Sequence, residues 1–302
     1  MEKIIEDICF RYDLNIQEQF LLGNICKTIF RVINKDSREL VLKVGNTEQT
    51  INEIVQNKIG YERLQQQGLQ WFIPEILAVE ISENNFAFML MEYCGPDILT
   101  QLKKSSDPIC IYNQLITQLE KVYGQSLQQS SNGKEMIEVI LDKVVEQYEK
   151  YIQKPLDPMN SLSNQLQLLR RSFPVNEIKF CCFSNWDFTP EDTYLLNGGL
   201  KYSDPHAEVL GIPIIDMACF AGVLIAYEIS SVVEGYNLIQ KFAINRIPHI
   251  LSISKPLACR LFSLGRVLQC FLSARFRMDS NPSQAQKLFC EAKNHLEKVI
   301  KK

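Results

Sequence analysis

The chain has 302 residues, 46% of them hydrophobic and 22% charged, which fits a globular protein with a sizeable core in one large or two small domains. A net charge of -3 and the absence of any long Lys/Arg block argue against nucleic acid as a partner. The ten cysteines show no CxxC or Cys/His zinc spacing, and the acidic start Met1-Glu2-Lys3-Ile4-Ile5-Glu6-Asp7 does not suit a signal peptide, so reduced thiols and a cytoplasmic setting are expected.

The first β-rich runs are Thr28-Ile29-Phe30-Arg31-Val32-Ile33 and Glu39-Leu40-Val41-Leu42-Lys43-Val44, and the polar turn between them predicts a hairpin. Helical periodicity follows over 50–67 and stops at Gly68. Ile76-Leu77-Ala78-Val79-Glu80-Ile81 and Phe86-Ala87-Phe88-Met89-Leu90-Met91-Glu92-Tyr93 then predict a second strand pair. The first part of the chain reads as a small antiparallel sheet with one helix.

Gly95-Pro96 marks a change of character, which divides the chain into 1–94 and 95–302. Helices are predicted over 111–123, 134–151, 161–171, 216–233, 236–245, 256–278 and 282–301. The apolar stretch 212–227 is shorter than the ~20 residues of a membrane span and contains Asp216, so it is expected to be a buried helix, with no membrane partner.

Within the helical part, Ser184-Asn185-Trp186-Asp187-Phe188-Thr189-Pro190-Glu191-Asp192 is followed by Lys201-Tyr202-Ser203-Asp204-Pro205 and by Gly211-Ile212-Pro213-Ile214-Ile215-Asp216-Met217-Ala218. Phosphoryl transfer needs one group to orient a hydroxyl and two to hold magnesium, and Asp187, Asp192 and Asp204 have the order for those tasks. Alone, the run from Asp187 to Asp192 also suits a solvated, acidic turn.

A sheet region, a hinge and a helical region with one acid-bearing hairpin resemble a protein-kinase-like fold, in particular the aminoglycoside and choline phosphotransferase branch. The resemblance is strongest over 22–93 and 185–227 and fades between 103 and 177. It implies a bilobal α+β protein, with a small N-terminal lobe and a larger, mostly helical C-terminal lobe. It also implies ATP- and Mg2+-dependent transfer of phosphate to a hydroxyl of a small molecule. A protein acceptor is less expected, because no Ala-Pro-Glu segment follows Asp204.

Carried over residue by residue, the family's loop His-Gly-Asp-x-x-x-x-Asn meets Asn185, Trp186, Asp187 and Asp192. The resemblance implies that Asp187 orients the acceptor hydroxyl and that Asp192, in place of Asn, ligates magnesium. Asp204 matches the acid of the metal-binding Asp-Phe-Gly or Ile-Asp-Trp motif, and Asp216 an acid that braces the catalytic loop. Lys43 matches the phosphate-holding lysine of Val-Ala-Ile-Lys, with a surface lysine as the plainer reading. Its usual partner is a Glu on the next helix. The count falls nearest Asn57, Glu53 and Glu62 both qualify, and Glu53 is the choice. Gly23, in Leu22-Gly23-Asn24-Ile25-Cys26-Lys27-Thr28, matches the nucleotide-covering loop, although an ordinary turn explains it almost as well. Met91, Glu92 and Cys94 match the hinge, with the Glu92 carbonyl and the Cys94 N–H offered to adenine.

The departures at Asn185, Trp186 and Asp192 support an alternative, a pseudokinase that binds nucleotide or acts as a scaffold with little or no turnover. A third reading, an all-helical adaptor with an incidental sheet, requires Lys43 and Asp204 to lie far apart.

Overall fold

The computed structural model describes residues 1–20, 28–82, 86–129, 133–152, 161–196, 199–227 and 232–300. The chain forms two compact units, one of Met1–Pro96 with Gly199–Val209, the other of Asp97–Gly198 with Leu210–Lys302. The expected architecture is present: a small unit built on an antiparallel sheet and a larger, mostly helical one.

The first unit contains α1 (Glu2–Tyr12), β1 (Leu14–Phe20), β2 (Thr28–Asn34), β3 (Glu39–Gly45), α2 (Glu48–Gln66), β4 (Ile76–Ser82) and β5 (Phe86–Glu92). Its sheet has the order β1-β2-β3-β5-β4, and every pairing is antiparallel. The β2–β3 turn closes through the Asn34 side chain, whose Oδ1 accepts from the N–H groups of Asp36 and Arg38. Alternation along β3 sends Leu40, Leu42 and Val44 into a core with Ile5 and Ile8 of α1 and Phe88 and Leu90 of β5. Lys43 therefore belongs to the opposite face, between its cross-strand neighbours Ile29 and Met89.

α2 starts with a reciprocal cap, in which Thr47 accepts from the N–H of Thr50 and the Thr50 hydroxyl accepts from the N–H of Thr47. It buries Ile54, Asn57, Tyr61 and Leu64. α1 is an element that the sequence reading does not anticipate, although Ile5 and Ile8, three residues apart, are its buried stripe. The unit's first segment ends beside Gly95, whose φ of 73° suits a residue without Cβ.

The second unit contains α3 (Ile98–Lys104), α4 (Pro108–Gln125), α5 (Gly133–Ile152), α6 (Ser161–Ser172), α7 (Pro213–Ala226), α8 (Val232–Asn245), α9 (Ile247–Leu251), α10 (Lys255–Arg277) and α11 (Pro282–Ile300). Side chains of Asp97, Asp107 and Ser254 cap α3, α4 and α10, and Pro follows at the first turn of the latter two. α3 and α9 are too short to leave a periodic signature. The helix expected over 216–233 ends at Ala226, and α8 begins at Val232.

α7 and α10 form the centre of this unit. α10 is long and apolar enough for a membrane span by length and composition, but 83% of that apolar window is buried inside the protein, as in a core helix. Burial pushes the thiols of Cys182 and Cys270 up to about 12, which makes them packing residues rather than nucleophiles.

Candidate active site

In the first unit, β3 and α2 gather polar groups around the segment from Ser203 to Ala207. The Lys43 ammonium lies 3.3 Å from Asp204 Oδ1, 3.1 Å from the Ser203 carbonyl and 3.4 Å from Asn57 Oδ1. The side chains of Lys43 and Asp204 are only 7% and 20% exposed, so water screens this pair little. A lysine in an apolar strand thus meets an acid 161 residues further along the chain, and the reading that needed them far apart falls.

The α2 partner of Lys43 is Asn57, one helical turn beyond the expected Glu53. That expectation asked for a second carboxylate. With Asp204 already beside the ammonium, a neutral amide oxygen completes its shell. The same amide donates through Nδ2 to the Pro205 carbonyl at 3.3 Å, which no glutamate could do. Tyr61 donates to the Ser203 carbonyl at 2.7 Å, and Arg63 donates to that of Ala207. Gly60 permits the close approach, since a Cβ there would sit 2.4 Å from the Pro205 carbonyl oxygen.

The hinge residues are held in the same unit. Met91 is buried and pairs across the sheet with Val41. The carboxylate of Glu92 accepts from the Glu75 N–H at 3.1 Å and lies 3.8 Å from Lys201. Cys94 is buried and its thiol is pushed up to about 12, chiefly by that burial. Gly23 lies outside the described residues.

In the second unit, the loop from Ser184 to Asp192 is braced from beneath. Asp216, fully buried at the start of α7, accepts from the Ser184 hydroxyl at 2.7 Å and from the Asn185 N–H at 3.1 Å. Burial pushes its carboxyl well above the usual range, and these two hydrogen bonds pull it only part of the way back. Asn185, buried where the family has His, accepts from the Asp187 N–H at 3.3 Å. Phe188 is fully buried and packs edge-on against Phe183 and tilted against Phe220. Between these two fixed residues and Thr189, Asp187 is exposed.

Asp192 is half-buried, and its Oδ2 accepts from the Thr189 hydroxyl at 2.7 Å. Trp186 stands under the Lys143 ammonium, 5.3 Å from its ring centre, so α5 supplies a neighbour to the residue before Asp187. Among the described residues, no three His, Cys, Asp or Glu side chains gather into a complete metal cage. Magnesium does not need one: it is commonly held by one or two carboxylates together with phosphate oxygens and water.

Asn57, Tyr61, Ser184 and Phe188 are not assigned to the site in the sequence reading. Asn57 appears there as the position where the family's spacing falls, and Ser184 and Phe188 only as members of the acidic run, without a role.

No family model matches the sequence, and no curated protein matches it either. Solved structures do. A protein described as an aminoglycoside phosphotransferase from Ralstonia eutropha superposes with a TM-score of 0.61 at 12% identity, over 100% of this chain and 97% of that one. A choline kinase from Cryptosporidium parvum gives 0.56 at 11% identity, over 99% and 95%. The ternary complex of the phosphotransferase APH(2″)-IIa with streptomycin and ATP gives 0.55 at 13% identity, over 99% and 98%. The chain therefore has a protein-kinase-like fold, of the form found in aminoglycoside phosphotransferases and choline kinases.

Proposed function

We propose that the protein is a magnesium- and ATP-dependent phosphotransferase whose acceptor is a hydroxyl of a small molecule. The observation that carries this reading is the Lys43–Asp204 pair, a shielded ammonium and carboxylate brought together from positions far apart in the sequence. In the proposed roles, Lys43 holds nucleotide phosphate, Asp204 and Asp192 ligate magnesium, and the exposed Asp187 orients the acceptor hydroxyl. Bound magnesium would neutralise charge on the transferred phosphate. Met91 borders the adenine, and the main chain of Glu92 and Cys94 contacts it. ATP is the favoured donor because the similar APH(2″)-IIa was solved with ATP. The short link from Asp204 to α7 favours a small acceptor over a protein, and the free cysteines among the described residues suit a reducing, cytoplasmic setting.

A second reading, a nucleotide-binding protein with little turnover, is favoured by Asp192, whose oxygen is engaged by Thr189, and by the exchange of the family's Glu for Asn57. Thermal unfolding with and without Mg–ATP, followed by ATP consumption against a panel of hydroxyl metabolites, tests both. Binding with turnover that drops by about 100-fold or more in Asp187→Asn supports the phosphotransferase. Binding without turnover supports the second reading, and no binding sinks both.

A further inference from the structure

Asn57 gives Lys43 a partner that carries no charge. In the family that the chain resembles, the usual partner of this ammonium is a glutamate on the following helix. Here Lys43 has Asn57 Oδ1 at 3.4 Å, the Ser203 carbonyl at 3.1 Å and Asp204 Oδ1 at 3.3 Å, and Asp204 is its one carboxylate partner among the described residues. An amide oxygen binds an ammonium more weakly than a carboxylate does. The ion pair with Asp204 therefore carries most of the electrostatic hold on Lys43.

We infer that Asn57 is a positioning residue that parks Lys43 on Asp204, so that the carboxylate is masked until Lys43 swings away to a nucleotide phosphate. The inference rests on the proposed role of Asp204 as a magnesium ligand. A carboxylate shared with an ammonium is a poor ligand for a divalent cation, because the two positive charges compete for the same oxygen at close range. The parked state is well held. Nδ2 of Asn57 donates to the Pro205 carbonyl at 3.3 Å, and Tyr61 donates to the Ser203 carbonyl at 2.7 Å, which ties the segment that carries Asp204 to α2 on both sides of the acid. An incoming phosphate would offer Lys43 a second anion, and the Asp204 carboxylate would then be open to a divalent cation. Metal and nucleotide would thus bind with strong positive cooperativity, each weakly without the other.

The test is Mn2+ binding without nucleotide, read as free Mn2+ by electron paramagnetic resonance, for the wild type, Lys43→Met, Asn57→Asp and the double variant Lys43→Met/Asp204→Asn. Lys43→Met removes the competitor. Asn57→Asp gives the ammonium a second carboxylate at nearly unchanged side-chain size. Both are expected to bind Mn2+ about tenfold more tightly than the wild type, and the double variant is expected to lose the gain. Should Asn57→Asp fail to fold, as circular dichroism would show, Lys43→Met carries the reading. Wild-type affinity in Lys43→Met, or a gain that survives Asp204→Asn, overturns the inference. A wild type that binds Mg–ATP while Lys43→Met gains no Mn2+ affinity overturns the parking and leaves the phosphotransferase reading standing. A wild type that binds no Mg–ATP while Lys43→Met gains affinity through Asp204 shows that Lys43 masks the carboxylate but overturns its release by nucleotide together with the phosphotransferase reading.

Discussion

The loop of Asp187 is held through its backbone, whereas the segment of Asp204 is held partly through the Asp204 carboxylate itself. Beneath Asp187, the Asn185 N–H is tied to Asp216 and the Phe188 ring is sunk in the core, and the Asp187 side chain is exposed. Around Asp204, α2 grips three main-chain carbonyls while Lys43 takes the carboxylate. A rigid frame with an exposed side chain would suit the acceptor-orienting role proposed for Asp187. A side chain held by an ion pair suits a group that is to be released by a ligand.

The largest effect expected is on the first of these frames. Phe188→Ala removes a fully buried ring that touches Phe183 and Phe220, and it should destabilise the protein by about 4 kcal/mol in urea unfolding. A loss below about 1 kcal/mol would mean that the loop does not depend on its aromatic anchor, and the contrast with the Asp204 segment would break.

Asn57→Ala should cost less, about 2 kcal/mol, because it leaves the Pro205 carbonyl without its donor and opens a small cavity while the sheet and α2 stay packed. Its signature is local. Amide exchange at 203–207 should speed up more than exchange in the core strands β3 and β5, which would sharpen the distinction between the two ways of holding an acid. Uniform acceleration across the first unit would erase it.

The sheet, the hinge turn and most long helices are legible in the sequence because each carries its own signal. β3 alternates, α2 has a cap and an apolar stripe, and Gly95-Pro96 punctuates the chain. α3, capped by Asp97, and α9 each run for fewer than two turns, and periodicity cannot register them. The family resemblance leads to the bracing Asp216 and to the two partners Lys43 and Asp204, which the fold brings together. The α2 partner of Lys43 is not legible in the same way, because it depends on where Asp204 arrives from a distant part of the chain. Once that charge is in place, Asn57 suffices and an acid is unnecessary. Phe188 reads as an ordinary aromatic in a turn until α7 supplies Phe220 beneath it.

The smallest effect concerns pH, and it separates the anchor of the Asp187 loop from an ordinary ion pair in the same unit. Glu291 is held at about 2, first by its hydrogen bond from His295 and then by the buried guanidinium of Arg266. A carboxylate whose folded value is depressed adds stability above its unfolded value, and that stability is lost as pH falls from 4.5 toward about 2. Glu291→Gln should therefore flatten the acid limb of a stability–pH curve; with the partial exposure of Glu291 discounted, the change is about 1 kcal/mol. Asp216 has the opposite sign. Its folded value is raised, so the native state holds the proton more tightly than the unfolded chain, and its contribution is complete below 3.8 and is lost as pH rises through the folded value. Asp216→Asn should remove a decline on the neutral side while leaving the acid limb intact. If both variants flattened the same limb, Asp216 would be acting as a paired anion like Glu291, and the loop of Asp187 would rest on an ion rather than on a desolvated carboxyl.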